Sequence, residues 1–464
     1  MHLSPRIGFN YDLTGDDATP TQLRGGIGLF TGRPPLFWLF GGFSAYGLAQ
    51  RTLQCGPLPG DAGAAPPFSA DASRPPFACA GGQTFGGTTS AEVDALAPHL
   101  RLPQVLRTSL AVDRALPFGL VGTIEGIVTR STSTLYFSGI NLAEPLGTDR
   151  RGRVMYGTIA ATGVATPRRI VARLGDVVSV TNQSRDIAYD ITGELRREGR
   201  LADMQVAVSY GRTRDVASPR PVSALLVDDW RYGRPVAGRV DDLSLSTSDY
   251  DQPLRVRMSG TLRSPWRRFG TDLSFYYIGG SGFPYTYVAG GAQGRGDLNG
   301  DGAQGNDPLY IPRTALDTAE IRFTGTPAEV TAQQSALERF IDGAACLREQ
   351  RGRIMARNSC RSPWLHQTNV ALRQTLPAVA THVVALEVQL FNLLNLLDRR
   401  WGRMQLPGGT VPTTTNQIPL LSQVGETTGA LAQPIYRFDV ATQRYQSENA
   451  DSFYQIQLAL RYSF

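Results

Sequence analysis

Strict period-two patterning at the end of the chain is the tightest constraint on its fold. From Phe453 to Phe464 it reads FYQIQLALRYSF, with Tyr454, Ile456, Leu458, Leu460, Tyr462 and Phe464 on one parity. Gln455, Gln457, Ala459, Arg461 and Ser463 take the other. Successive side chains of a strand face opposite sides, so this segment makes one strand with an apolar and a polar face. Rings stand at both ends of the apolar face and aliphatics between them, which suits a strand crossing a bilayer with aromatics at the headgroup levels. Its length fits the roughly 9–11 residues that a tilted strand needs to cross the hydrocarbon. A soluble edge strand would alternate in the same way, so the rest of the chain decides.

The alternation recurs. Ile7, Phe9 and Tyr11 oppose Gly8, Asn10 and Asp12; Leu23, Gly25, Ile27 and Leu29 form the return. Further ribbons centre on Leu110 and Val112, on Ile124 and Val128, on Ile187–Leu195 and on Met204–Tyr210. The remaining ones lie at Leu254–Leu262, Leu273–Tyr277, Val370–Leu372 and Val384–Leu390. Their polar faces carry full charges in mid-strand: Glu125, Asp190, Glu194, Arg255, Arg257, Arg373 and Glu387. Short turns near 116–119, 196–200, 263–269 and 376–381 alternate with long connections at about 31–103, 131–180, 211–250, 279–363 and 397–452. A sandwich has no reason to keep short loops at one end and long ones at the other, whereas outer-membrane barrels do. The expected fold is therefore all-β: an antiparallel transmembrane β-barrel of roughly 14 or more strands, with long extracellular loops. So many strands with charged inner faces imply a wet lumen. A barrel hides its apolar residues at every second position, so a hydrophobic content of 41% is compatible with it. No apolar run reaches the roughly 18 residues of a spanning helix; the nearest, Pro34–Ala49, is short and rich in glycine and aromatics.

The formal charge is +6 and every basic residue is arginine. The arginines are scattered along the chain and many sit in turns, so no nucleic-acid partner is expected. The four cysteines fall into two local pairs in loop-like sequence, Cys55 with Cys79 and Cys346 with Cys360. Neither pair has zinc spacing, and two loop-closing disulfides in an oxidising compartment are expected, with buried free thiols as the alternative. The first residues carry neither a basic n-region nor an apolar h-region, so a signal peptide is not expected there. Residues 1–464 read as the C-terminal portion of a longer barrel.

Four stretches carry a resemblance: GLFTGRPPLFWL (Gly28–Leu39), RGDLNGDGAQGNDPLYIP (Arg295–Pro312), CLREQRGRIMARNSCRSPW (Cys346–Trp364) and VQLFNLLN (Val388–Asn395). Together they resemble the C-terminal barrel of TonB-dependent outer-membrane receptors of the Oar-like group. The closing YSF is similar to the aromatic signature read by the outer-membrane assembly machinery, with Tyr462 and Phe464 as its residues. The resemblance implies a barrel of about 22 strands, blocked by an N-terminal plug and energised through TonB. No plug and no TonB-contacting segment are read in this chain. Its implied partners are outer-membrane lipid and lipopolysaccharide, the assembly machinery, the TonB complex through the plug, and an unknown solute. The implied location is the bacterial outer membrane.

Within the second stretch, Asp297, Asn299, Asp301 and Gly302 spell DxNxDG. That spacing places oxygens at loop positions one, three and five of a calcium loop, with glycine at the sharp turn. Pro308 stands where the last ligand belongs, and Asp307 is the available substitute. The alternative is a loop whose Asx side chains cap its own backbone. A structural calcium is the only cofactor expected. Arg351, Arg353 and Arg357, between the second cysteine pair, are read as solvated, or else as contacts for an anionic ligand. Tyr276, Tyr277, Phe283, Tyr285 and Tyr287 are read as an interface girdle, or else as a ligand platform. The histidines His2, His99, His366 and His382 stand in no metal-ligand pattern, and GxSxG, HExxH and P-loop signatures are absent. Catalytic activity is not expected. The functional reading is import of a scarce solute or polymer fragment, with a passive porin-like or adhesion barrel and an outer-membrane hydrolase as alternatives.

Overall fold

A computed structural model describes the chain outside residues 1–2, 15–18, 37, 40–54, 56–63, 72, 75, 77, 81–90, 220–225, 267–268, 293, 378–381, 408–415, 430 and 448–451. Most of the Pro34–Ala49 run, Arg267 and Arg268 of the 263–269 turn, and most of the 376–381 turn lie outside the described residues.

Among the described residues, the alternating ribbons form a wall of eleven strands that follow one another in space as in sequence. They are β1 (Arg6–Asp12), β2 (Thr21–Thr31), β3 (Gln104–Leu116), β4 (Leu120–Gly139), β5 (Ile187–Arg197) and β6 (Ala202–Asp215). The series continues with β7 (Leu254–Arg263), β8 (Thr271–Gly280), β9 (Leu365–Pro377), β10 (Val383–Phe391) and β11 (Gln455–Ser463). Every neighbouring pair is antiparallel. Register follows the hydrophobic pattern: Ile124 faces Val112 on one side and Gly193 on the other, while Leu386 faces Leu460. A slip of one residue would turn each apolar set to the other face.

The wall has no dry core. Its apolar parity is exposed, with Ile124 at 67%, Leu458 at 70% and Leu460 at 72%. Apolar positions this bare over a whole sheet need a medium other than water, which a bilayer supplies. The opposite parity carries an ionic and hydroxylic lattice. Arg24 bonds Asp113 at 2.7 Å and Glu125 at 3.3 Å, across three strands. Arg255 pairs with Asp190 and Arg263 with Asp203. Thr192 meets Ser209 at 2.8 Å, and Thr261 meets Ser274 at 2.9 Å.

Connections at one end are short, such as 117–119 and 198–201, and those at the other span 32–103, 140–186, 216–253, 281–364 and 392–454. The described residues of the long ones are not loose loops. They fold into a cap that holds both buried apolar clusters. Its centre is a five-stranded sheet in the spatial order Arg322–Phe323, Pro434–Arg437, Gln417–Glu426, Pro284–Gly290, Cys360–Arg361. Helix α1 (Pro327–Asp342) packs beside it. Thr326 and Glu329 make a capping box and Pro327 opens the helix, so three of the orphan groups of its first turn are answered locally. Gln333, Ala336, Leu337, Phe340 and Ile341 then recur at helical spacing and are buried. At the wall's rim, β4 runs on past the membrane ribbon and pairs with Leu174–Gln183, so Leu135, Phe137, Val178 and Val180 join the second cluster.

Two readings of the sequence are corrected here. Tyr285 and Tyr287 are not in a membrane girdle: each is 2% exposed in the cap core, their rings packed edge to face at 5.1 Å. Arg357 is not solvated: it is buried and bonds Asp215 at 2.8 Å, Asp249 at 3.2 Å and Ser218 Oγ at 2.7 Å. Arg351 likewise bonds Glu338 and Asp342 at 2.8 Å each. Asp215 ends strand β6, so Arg357 ties the cap to the wall.

Both disulfides form, Cys55–Cys79 and Cys346–Cys360. The second closes a 14-residue step beneath α1, worth about 3 kcal/mol in the chain-entropy account.

Candidate functional site

The cap and the polar face of the wall meet in a cleft of about 320 Å³ lined by Arg107, Asp190, Arg212, Tyr250, Asp251 and Arg255. Residues opposite one another in the sheet share a face, which is why Asp190 on β5 and Arg255 on β7 reach each other across β6. Asp251, on the connection after β6, is gripped by Arg361 at 2.6 Å and faces Arg212 at 3.6 Å. A second cavity of about 450 Å³ continues down the same face past Thr192, Glu194, Gln205, Ser209, Arg257 and Tyr276. Arginine forks, carboxylates and hydroxyls side by side can hold a polar solute through many replaceable hydrogen bonds. Tyr276 is the aromatic residue of the expected girdle that faces this cavity.

A separate pocket of about 60 Å³ lies inside the cap, between Asp149–Met155 and Gln433–Tyr436. Its arginines are occupied in holding the cap. Arg150 bonds Gln433 and the Ala319 carbonyl, and Arg151 bonds the Ala319 and Glu320 carbonyls while covering the Tyr310 ring at 3.9 Å. Burial pushes the Glu426 carboxyl on its edge up to about 7.

The DxNxDG stretch folds at the centre of the cap, not on its surface. Asp297, Asn299, Asp301 and Asp307 are each at most 2% exposed. Asp297 accepts from Gly300 N at 2.6 Å and Gly302 N at 2.9 Å; Asp301 accepts from Ala303 N at 2.7 Å. Asn299 Oδ1 accepts from Asp301 N at 2.8 Å. Gly302 sits at φ +95°, a conformation that costs glycine nothing. Asp307 takes Arg153 at 2.8 Å on one oxygen and Leu298 N at 2.8 Å on the other. Burial holds all three carboxyls above the usual range, Asp297 at about 7. Among the described residues, no three His, Cys, Asp or Glu side chains form a ready-made metal cage. Arg153 and Asn306, both in this centre, were not singled out from the sequence. The GND triplet beside Pro308 was the available signal for Asn306.

At the far end of the molecule, Phe464 is exposed and its ring stacks 5.9 Å from that of Tyr462, whose hydroxyl meets His382 Nδ1 at 2.6 Å.

A family model described as "Outer membrane beta barrel domain" matches residues 1–437. Among solved structures, a double mutant of the ferric enterobactin receptor PfeA from Pseudomonas aeruginosa is similar at a TM-score of 0.37 and 10% identity, over 99% of this chain. The chain spans 39% of that receptor's length. No curated protein matches the chain.

Proposed function

Because the chain belongs to the outer membrane beta barrel domain family, we propose that it is the wall and outer cap of an energised, Oar-like TonB-dependent receptor that imports a scarce polar solute. The observation that carries this reading is the pair of free edges on the wall. Eleven antiparallel strands leave β1 and β11 running in the same direction, each with one neighbour among the described residues. They cannot pair antiparallel with each other. A second copy rotated about the barrel axis would also offer its edges parallel. An odd number of further strands closes an antiparallel barrel, and lipid leaves no unpaired edge uncorrected.

The completed barrel is thus wider than eleven strands, and its lumen is lined by the charged lattice described above. A tube of that width leaks unless it is stopped, which is the part a plug plays in the receptors that the sequence resembles. The cap narrows the outer mouth, and the cleft at its base supplies mixed-charge contacts for a polar solute. Outer-membrane lipid and lipopolysaccharide would border the apolar parity. Tyr462 and Phe464 would present the assembly signal.

Planar-bilayer conductance of the full-length protein, with co-purification on the TonB periplasmic domain, tests the proposal. A silent channel that TonB retains is the expected result. A channel that conducts steadily and ignores TonB would leave a passive pore in its place.

A further inference from the structure

We propose that the Asp297–Asp307 loop is a calcium site at the hub of the cap, and that the ion fastens the long connections to one another. Three observations converge. The first is the charge count: Asp297, Asp301 and Asp307 are all buried, and Arg153 is bonded to Asp307 alone among them. Arg169 lies against Gly302 but is spent on Asp176, and Arg234, which lines a pocket with Asp301 and Asn306, is bonded to the Val240 and Asp242 carbonyls. Buried carboxylates without a counter-charge are unfavourable by several kcal/mol, and a hard dication answers two at once.

The second observation is independent of the acidic residues. Asn306 is 4% exposed, its Nδ2 donates to Asp301 Oδ2 at 3.3 Å, and its Oδ1 has no hydrogen-bond partner; a turn of the amide exchanges the two atoms and brings the oxygen to the loop. An orphaned buried carbonyl oxygen beside a buried carboxylate is a donor set without its acceptor. Asparagine oxygen and carboxylate oxygen are the ligand types that calcium selects. With Asp297, Asn299 and Asp301, Asn306 brings the side-chain oxygen donors to four residues.

The third observation gives the site a purpose. Asn299 O receives Tyr156 N at 2.7 Å, from the connection after β4. Asn306 O receives Val236 N at 3.0 Å, from the connection after β6. Gly296 N donates to Gln423 Oε1 at 2.7 Å, from the connection after β10. The loop itself belongs to the connection after β8, so four of the five long connections meet on it. An ion here would stiffen the mouth of the lumen as a unit. The site stands whether or not uptake is driven by TonB.

The test uses full-length protein in detergent, stripped with chelator and titrated with calcium chloride against a magnesium chloride control. The expected result is one calcium per chain with a dissociation constant between about 10⁻⁶ and 10⁻³ M. Protease resistance of the cap should rise on binding. D301N and N306A should each weaken binding at least about tenfold, and D342N, on the outer face of α1, should not. Wild-type protein that binds nothing up to about 10 mM calcium, with both disulfides intact, overturns the proposal. So does a calcium response that D301N and N306A leave unchanged. If either variant fails to assemble, wild-type stoichiometry by equilibrium dialysis decides.

Discussion

The wall and the cap are made from one chain by two different rules of burial. In the wall, a residue's environment is set by parity: Ile191 looks outward and Thr192 inward, and neither has a core to enter. In the cap it is set by long-range packing: Tyr285, Thr286 and Tyr287 are all buried, whichever way they point. The contrast teaches where stability comes from in each half. The wall relies on lipid to accept its apolar face, whereas the cap carries its own core, disulfide and buried ion pairs. A perturbation should therefore show up in one half and spare the other.

Arg357→Ala is the heaviest blow to that separation, because Arg357 joins the two halves. It takes the guanidinium away from the buried Asp215 and Asp249, which keep hydrogen bonds from the Ser218 hydroxyl and the Asn358 amide, a loss of about 3–5 kcal/mol. Limited proteolysis should then cut the connections after β6 and β8, with the wall still resistant. Replacing Cys346 and Cys360 by serine should lower the cap's unfolding free energy by about 3 kcal/mol and leave assembly of the wall intact, read by urea titration of cap fluorescence.

For the wall, Ile124→Arg places a guanidinium in hydrocarbon and should destabilise membrane insertion by about 2 kcal/mol or more. Gln457→Arg, on the lumen parity, should be close to neutral. Heat-modifiable mobility on gels reports both.

The smallest effect expected is on pH. The Glu426 carboxyl titrates near 7 in the fold, above its ordinary range, because burial favours the neutral form. The folded state therefore binds the proton more tightly than the unfolded one. Its contribution is full at pH 4 and lost as pH rises through about 7. Glu426→Gln should flatten that decline by about 1 kcal/mol, allowing for partial solvent screening.

These two rules also explain what was legible beforehand. Period-two patterning reports a face directly, so β5, β6, β7 and β11 could be read almost residue by residue. The cap has no such period. Its sheet pairs Thr286–Gly290 with Gln417–Ser422 in parallel, across a separation no local pattern records. Tyr285 and Tyr287 follow straight on from β8 with the same alternation, which made them look like more membrane strand. Helix α1 was written in plain sight, as Thr326-Pro327-Ala328-Glu329 followed by apolar residues at helical spacing, and the surrounding loop-like composition masked it. Of the DxNxDG stretch, the spacing was legible, but not its burial or the Asn306 amide beside it.

The most direct test of the account is a nitroxide scan along β5 (Ile187–Arg197) in the membrane-inserted protein. Odd positions from 187 to 195 should be quenched by oxygen and even positions from 190 to 194 by a water-soluble nickel chelate, with a period of two. Equal exposure of both parities to the chelate, or protection of both, would contradict a wall with lipid on one side and water on the other.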